Sequence, residues 1–376
     1  MAKGYCFICG EKVTAGTDSK EHLFQNAIGG RRKVGGFLHK MCNNKSGEEW
    51  DAALAAQLNP LCLFLGITRE RGVSPSMKVN TTAGEDLTLT AGGGLEIGNP
   101  NYEVVSSPEG PKLRLHARNR TEARRMLEEV RQRHFPQLDI KKLLRSFPLE
   151  TSYPEGAIKL SFEFGGRDSG PAIVKTAAAF AHSVGVDTRA CELAAAYLRD
   201  LKVSAPFGYF DDKELVRSRQ PGLAMHVVAV TGDPTTGRLL GYVEYFGVVR
   251  IIVGLSHSYT GVALHRAYAM DPITGKDVPV DVEKLIFSSG ELEKIYSYER
   301  TNRGALIRNL APIMDAAIRR QFERERDRAL SAAIDYGFRN CGAKYGEILT
   351  QEQLRTLSRL VVQHLQPWLL RHVVRV

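Results

Sequence analysis

Two pairs of metal-binding side chains constrain the fold of this chain more than any other feature of its sequence. Cys6 and Cys9 form a C-x2-C pair, and His39 and Cys42 repeat the two-residue spacing about thirty residues later. Thiolates and imidazoles are the usual ligands of tetrahedral zinc. The spacing therefore predicts a structural zinc ion that stabilises a module too small to bury much apolar surface by itself. In an alternative interpretation, His39 faces an active site instead.

The other cysteines indicate the environment of the protein rather than a second site. Cys62, Cys191 and Cys341 stand alone in the sequence, which is typical of small buried side chains. Six cysteines in 376 residues are too sparse for a disulfide scaffold. The N-terminus lacks a secretory signal, and no apolar run approaches the roughly 18 residues of a membrane span. We expect a soluble cytoplasmic protein with no membrane partner.

Polar residues lie between the two pairs and directly after them. Residues 20–30 read KEHLFQNAIGG, and residues 43–47, which follow Cys42, read NNKSG. The order of a C-x2-C pair, Glu-His, Ile-Gly-Gly and a second pair that closes on Cys-Asn-Asn resembles the HNH endonucleases, especially those with a zinc ribbon. The resemblance covers about residues 5–60 of the chain.

The resemblance implies a ββα-metal fold, with a hairpin over about residues 20–40 and a helix that reaches Leu58. It makes His22 the general base, Glu21 an acidic ligand of a catalytic divalent metal, and Asn43 the second protein ligand of that metal. Adjacent strand residues point to opposite faces. Glu21 and His22 can therefore share one centre only if the strand is distorted or the two side chains reach it differently.

These residue types suit the hydrolysis of a phosphodiester. A histidine titrates near neutrality and can therefore take a proton from water. A cation neutralises the charge that develops on the phosphate and on the leaving oxygen. The carboxylate of Glu21 and the amide oxygen of Asn43 form an incomplete set of hard ligands. Such a set suits Mg²⁺ or Mn²⁺, with water and phosphate completing the shell.

Further asparagines in the motif leave alternatives open. An exchange of roles between Asn43 and Asn44 is an alternative to the first assignment. Many HNH enzymes also use a middle asparagine to orient the base. Asn26 is the nearest candidate in this sequence, and a turn-forming role explains it equally well.

Basic residues around the motif point to a polyanionic partner. Arg31, Arg32 and Lys33, together with Lys45, are candidates for contacts with a nucleic-acid backbone. A solvated loop tip explains the first three equally well. The chain has a net charge of +9, and residues 301–376 carry 13 Lys and Arg against 7 Asp and Glu. Basicity of this size favours nucleic-acid contact.

The rest of the chain mixes strand and helix patterns. Asn59-Pro60 is expected to end the first helix. Alternating residues predict a hairpin over 86–97 and a strand over 112–118, and apolar runs predict strands near 225–230, 239–246 and 248–255. Helical periodicity marks residues 121–133, 171–184, 188–201 and the segment from 302 onwards.

Together these patterns predict an α+β protein of several parts, and 376 residues exceed the usual size of one hydrophobic core. Residues 1–60 are expected to form the zinc-stapled ββα-metal (HNH) module. Residues 61–300 are expected to form a larger mixed α+β domain for substrate selection or regulation. Residues 301–376 are expected to form a basic helical C-terminal region.

Three functions fit this layout. The leading hypothesis is a metal-dependent HNH endonuclease that cleaves DNA rather than RNA. The second is a nuclease effector of a bacterial antiviral defence system, gated through residues 61–376 by a protein partner, a guide nucleic acid or a ligand. The third is a zinc-stapled nucleic-acid-binding module that does not cleave. The basic C-terminal helices fit either a homo-oligomer surface or a DNA contact.

Overall fold

A short hairpin and a long helical segment organise the N-terminal part of the chain. The structure, a computed structural model, describes residues 4–106, 108, 111–146, 154–161 and 164–373. Strands β1 (Glu21–His22) and β2 (Lys33–Val34) pair in antiparallel register, with His22 opposite Lys33. Helix α1 (Lys40–Ser46) continues through a π-helical turn (Gly47–Asp51) into helix α2 (Ala52–Leu65). The predicted hairpin and the helix after it are both present.

The prediction that this helix ends at Asn59-Pro60 is wrong. Pro60 lies inside α2, which ends at Leu65 and is capped by Gly66, whose φ of 69° is the left-handed conformation that glycine favours. Proline within a helix costs roughly 3 kcal/mol. Leu58, Leu61 and Leu63 are at most 1% exposed, and burial of such a side chain contributes about 1.5–3 kcal/mol. The buried leucines on both sides of Pro60 therefore outweigh its penalty.

A small four-stranded sheet follows α2 and packs against it. Its strand order is β5-β4-β3-β8, and Leu63 of α2 shares a core with Val79 and Leu89 of this sheet. A separate hairpin of β6 and β7 precedes two helices, so the strands and the helix predicted for residues 86–133 are confirmed. The elements of this part are β3 (Met77–Thr81), β4 (Asp86–Leu89), β5 (Leu95–Ile97), β6 (Asn101–Val105), β7 (Lys112–His116), α3 (Arg120–Arg133), α4 (Ile140–Ser146) and β8 (Ile158–Lys159).

A six-stranded antiparallel sheet forms the largest core. Its order is β15-β14-β11-β12-β13-β9, and every residue of β13 is buried. The predicted strands and the helix predicted over 171–184 are confirmed, whereas the segment 188–201 forms a short 3-10 turn (Thr188–Ala190) followed by a shorter α-helix. The elements are α5 (Gly166–Ser183), α6 (Glu192–Arg199), β9 (Phe207–Tyr209), β10 (Val216–Arg217), β11 (His226–Asp233), β12 (Arg238–Tyr245), β13 (Val249–Ser256), β14 (Leu264–Asp271), β15 (Lys276–Val278), β16 (Asp281–Val282) and α7 (Ser289–Tyr296).

Helix α5 lies directly on this sheet. A Cβ atom added to Gly241 of β12 would come within 2.9 Å of the Ala177 Cβ on α5. Most of α5 after its first turn is buried. The close approach fixes the position of Lys175, one half-turn before Ala177, relative to the sheet.

The N-terminal hairpin is anchored to the same sheet by aromatic side chains. The Phe24 ring lies 5.0 Å from the His226 ring, 6.0 Å from the Tyr245 ring and 6.4 Å from the Tyr268 ring, measured between centroids. Burial lowers the pKa of His226 to about 4, so its imidazole is neutral. Its Nδ1 accepts from the Phe246 amide at 3.2 Å, and its Nε2 donates to the Ile28 carbonyl at 2.9 Å.

Contacts divide the chain into units of residues 1–310 and 311–376. The predicted segments 1–60 and 61–300 thus lie in one unit. Helix α8 (Arg303–Asn340) begins in this unit and ends in the second, and α9 (Gln351–Val373) lies in the second. In the second unit, the rings of Tyr336 and His364 stack at 4.7 Å. The predicted helical C-terminal region is therefore present.

None of the helices in the described part of the chain combines the length and apolar character needed to cross a membrane.

The core of the large sheet yields a first prediction. Ile252 of β13 is fully buried among Val227, Tyr242 and other apolar side chains. Ile252→Ala should lower the free energy of unfolding by about 2–5 kcal/mol because it leaves a cavity. Ile286→Ala, at a residue 79% exposed, should change it by less than about 0.5 kcal/mol. Urea unfolding followed by tryptophan fluorescence measures both, and equal effects would contradict this description of the core.

Candidate zinc cluster and catalytic cleft

The four predicted zinc ligands converge in space. The ligand atoms of Cys6, Cys9, His39 and Cys42 all lie within 4.8 Å of one another. Cys9 Sγ lies 3.2 Å from His39 Nδ1. This group of three thiols and one imidazole can hold a zinc ion.

His39 is oriented towards this cluster by its second ring nitrogen. Its Nε2 lies 3.1 Å from the Lys12 carbonyl oxygen, which can only accept a hydrogen bond. The proton is therefore on Nε2, and the lone pair of Nδ1 faces the thiols. A carbonyl behind a histidine is the usual means of orienting a metal ligand. The interpretation in which His39 faces the active site does not match this geometry.

The cluster thiols differ in how readily they ionise. Burial opposes ionisation of Cys6, but hydrogen bonds from the backbone at Cys9 and His39 lower the pKa of its thiol overall. Burial and the neighbouring thiols of Cys6 and Cys9 raise the pKa of Cys42 to about 12. A bound zinc ion would lower the pKa of Cys42 again, because zinc binds the thiolate form and offsets its charge.

A cleft of about 410 Å³ lies beside the hairpin. Its polar lining residues come from three segments: the hairpin, the π-helical turn and the chain after α2. They are Glu21, His22, Gln25, Asn26, Asp51 and Arg69. Several alanines, most of them in α2, complete the lining. Glu21 and His22 therefore reach the same cleft although they are neighbours on a strand, and each does so with a different partner.

His22 is paired with a glutamate that the sequence did not point to. Its Nε2 lies 3.0 Å from Glu70 Oε2, and the Lys33 ammonium lies 3.2 Å from the same oxygen. Hydrogen bonds from His22 and Lys33 hold the pKa of the Glu70 carboxyl down to about 2. The carboxylate is therefore ionised at neutral pH and can only accept, so His22 donates from Nε2. Nδ1 is then the ring nitrogen with a lone pair.

Glu21 is engaged by a lysine from helix α5. The Lys175 ammonium lies 3.2 Å from Glu21 Oε1 and 3.4 Å from Ser46 Oγ, and it also contacts the Asp51 carboxylate. The side chains of Lys175, Glu21 and Asp51 are 3%, 13% and 12% exposed. Asp51 lies in the π-helical turn, a helix irregularity often found at functional sites. The turn places its carboxylate at the cleft.

The asparagines of the motif have different surroundings. Asn43 donates from Nδ2 to Ser19 Oγ at 2.9 Å, and among the described residues its buried Oδ1 has no donor. Asn43 is not one of the cleft-lining residues, and Asn44 is exposed. Asn26 accepts from the Glu70 amide at 2.8 Å and donates to the Arg71 carbonyl at 3.3 Å. Asn26 thus holds the segment that carries Glu70, and it orients His22 indirectly.

The predicted phosphate contacts of the basic loop have intramolecular partners. Arg31 Nη2 donates to the Thr68 carbonyl at 2.9 Å, and the Arg32 guanidinium lies 4.7 Å from the centroid of the Tyr268 ring. Lys33 pairs with Glu70. Lys45 is exposed on α1. Arg69, which sequence reasoning did not select, lines the cleft directly.

Comparison with known proteins gives no relative: no protein family, no curated protein and no solved structure matches this chain.

The zinc cluster yields a second prediction. Cys6→Ser should remove most of the zinc, because a hydroxyl is a poor substitute for a thiolate. The purified wild-type chain should contain about one zinc ion per molecule, measured by elemental analysis. Cys62→Ala serves as the matched control, since Cys62 is buried outside the cluster, and it should retain its zinc. Folded wild-type protein without zinc would refute the assignment.

Proposed function

We propose that this chain is a metal-dependent endonuclease of the HNH type that hydrolyses phosphodiester bonds in DNA, with His22 as the general base. One observation carries the proposal: His22 pairs with the ionised Glu70 and lines a cleft that the carboxylates of Glu21 and Asp51 also line. A carboxylate-oriented histidine beside acidic residues is a common arrangement for activating water near a cation.

The base acts through its orientation and its proton. Glu70 accepts from Nε2, so the neutral imidazole has its lone pair on Nδ1, and Nδ1 takes the proton of the attacking water. The imidazolium that forms is stabilised by the same carboxylate, as in other carboxylate–histidine pairs. Asn26 supports the pair because it accepts from the Glu70 amide and donates to the Arg71 carbonyl.

The oxygen atoms around the cleft suit a hard divalent cation. Glu21 supplies a carboxylate, and the resemblance to HNH enzymes assigns Asn43, whose buried Oδ1 has no donor among the described residues. The cleft lining favours Asp51 as an additional or alternative ligand. When bound, Mg²⁺ or Mn²⁺ would neutralise charge on the phosphate and on the leaving oxygen. Glu21 is therefore the residue common to both ligand sets.

Two features favour an anionic polymer as substrate. Arg69 lines the cleft and donates from Nε to Ser74 Oγ at 3.2 Å, which leaves the terminal nitrogens of its guanidinium to hold a phosphate beside the base. Lys45 adds an exposed positive charge on the helix that follows the zinc ligands. We assign the basic C-terminal helices to the same polyanion as a secondary contact.

The larger region has a part in the site itself. Glu70 and Lys175 lie outside the first sixty residues, yet they contact His22 and Glu21. This favours the second candidate, a nuclease effector whose activity is gated through residues 61–376. Cleavage that begins only after addition of a partner protein, guide nucleic acid or ligand would support gating over constitutive activity.

The base assignment yields a third prediction. His22→Ala should reduce cleavage of supercoiled plasmid by at least about 100-fold, the usual contribution of general base catalysis. Single-turnover assays with Mg²⁺ or Mn²⁺ measure the rate. His116→Ala, at an exposed histidine of β7, should cut as the wild type does. Equal rates for His22→Ala and the wild type would show that His22 is not the base.

The orienting carboxylate yields a fourth prediction. Glu70→Gln should lower the cleavage rate by about 10–100-fold, the usual effect of losing a partner that orients a functional histidine. A glutamine can still accept from Nε2, but it cannot stabilise the imidazolium by charge. The matched control is Glu103→Gln, at an exposed carboxylate of β6, which should retain full activity. An unchanged rate and pH profile in Glu70→Gln would argue against the dyad.

A further inference from the structure

A buried ammonium group lies in a ring of oxygen atoms at one wall of the cleft. Lys175 is 2% exposed. Its Nζ contacts Glu21 Oε1, Ser46 Oγ and the Asp51 carboxylate. These three oxygens come from a strand, a helix end and the π-helical turn, so the fold brings them around a single cation. The ammonium is the cation that the ring holds in this structure.

A neighbouring side chain indicates that the ring can hold a cation other than the lysine ammonium. Gln25 is 5% exposed, lines the cleft and donates from Nε2 to Asp51 Oδ1 at 3.1 Å. Within the described residues, its buried Oε1 has no hydrogen-bond donor. A buried amide oxygen without a donor is costly in an otherwise hydrogen-bonded core. A cation in the cleft would satisfy it.

The charges of the ring also favour a divalent cation. Two carboxylates around one ammonium leave one negative charge uncompensated, whereas a divalent ion balances both. Ammonium and metal cannot share the ring, because like charges at such distances repel strongly in a partly buried site. Lysine has a long flexible chain, and two of its three partners, Glu21 and Asp51, line the cleft, so the cleft is the side towards which its charged end can leave the ring.

We propose that Glu21, Asp51 and Ser46 form the cation site of the cleft, that Lys175 fills it in the free protein, and that a divalent ion binds there by displacing the ammonium. The role of this exchange in cleavage rests on the proposed function, whereas the exchange itself does not. It makes metal and substrate bind cooperatively, because the substrate phosphate supplies the displaced ammonium with a new partner. Lys175 is thus a positioning residue that delays metal binding until substrate is present.

Mn²⁺ binding to the full, zinc-loaded chain tests the exchange without any measure of activity. Free Mn²⁺ is followed by electron paramagnetic resonance as protein is added. Lys175→Met removes the competing charge and should tighten Mn²⁺ binding at least about tenfold. Adding Asp51→Asn to this variant should abolish the gain, since it removes a ligand. Lys276→Met, at an exposed lysine of β15 outside the cleft lining, should bind Mn²⁺ as the wild type does.

A second variant and a second readout protect the test from a folding defect. Lys175→Gln keeps an amide that can donate to the ring but removes the charge, and it should also bind Mn²⁺ more tightly. Mn²⁺ should raise the melting temperature of both Lys175 variants more than that of the wild type. Unchanged affinity in both variants, or a gain that survives Asp51→Asn, would overturn the proposal. Absence of DNA cleavage by the wild type would refute the proposed function alone.

Discussion

The ion pairs of Lys175 with Glu21 and Asp51 join the N-terminal hairpin and the π-helical turn to helix α5, and they hold two carboxylates that line the cleft. Helix α5 is fixed on the large sheet by its contact with Gly241. The backbone that carries Lys175 therefore has a defined position, and the hairpin packs where Glu21 can reach the ammonium. Removing one partner of such a buried pair costs about 3–5 kcal/mol. Apolar residues of similar size would often be as stable, so retaining charges here favours a functional reason for them.

Two polar centres therefore lie in the N-terminal part of the chain, and they differ in kind. The Cys6, Cys9, His39 and Cys42 cluster offers soft thiolates and an imidazole, and it can fix the chain on both sides of the hairpin. The cleft offers carboxylates, amides and a histidine, which suit a hard cation and proton transfer. The first centre can hold a structural zinc ion, and we propose that the chemistry belongs to the second.

The sequence reveals those parts of the site that depend on local spacing. The cluster of Cys6, Cys9, His39 and Cys42 could be predicted because its ligands form two pairs with two intervening residues each. The hairpin could be predicted from the residues between the two pairs. Glu70 and Lys175 could not be predicted, because they lie 48 and 154 residues from the side chains they contact. The prediction that the helix ends at Pro60 is wrong because burial of the leucines around this residue overrides its local preference. The sequence also does not show that the Thr68 carbonyl accepts from Arg31 or that Arg32 lies over the Tyr268 ring, so the candidacy of these residues for phosphate contact stays a prediction.

The central claim is that this cleft hydrolyses phosphodiesters with a divalent cation, and the most direct measurement is strand cleavage by the zinc-loaded wild-type chain. Supercoiled plasmid and end-labelled RNA are incubated with the protein and with Mg²⁺, Mn²⁺ or no added divalent ion. The account predicts that the plasmid becomes nicked or linear with Mg²⁺ or Mn²⁺ and stays supercoiled without them. Intact DNA and intact RNA under every condition, with or without the candidate gating partners, would contradict it.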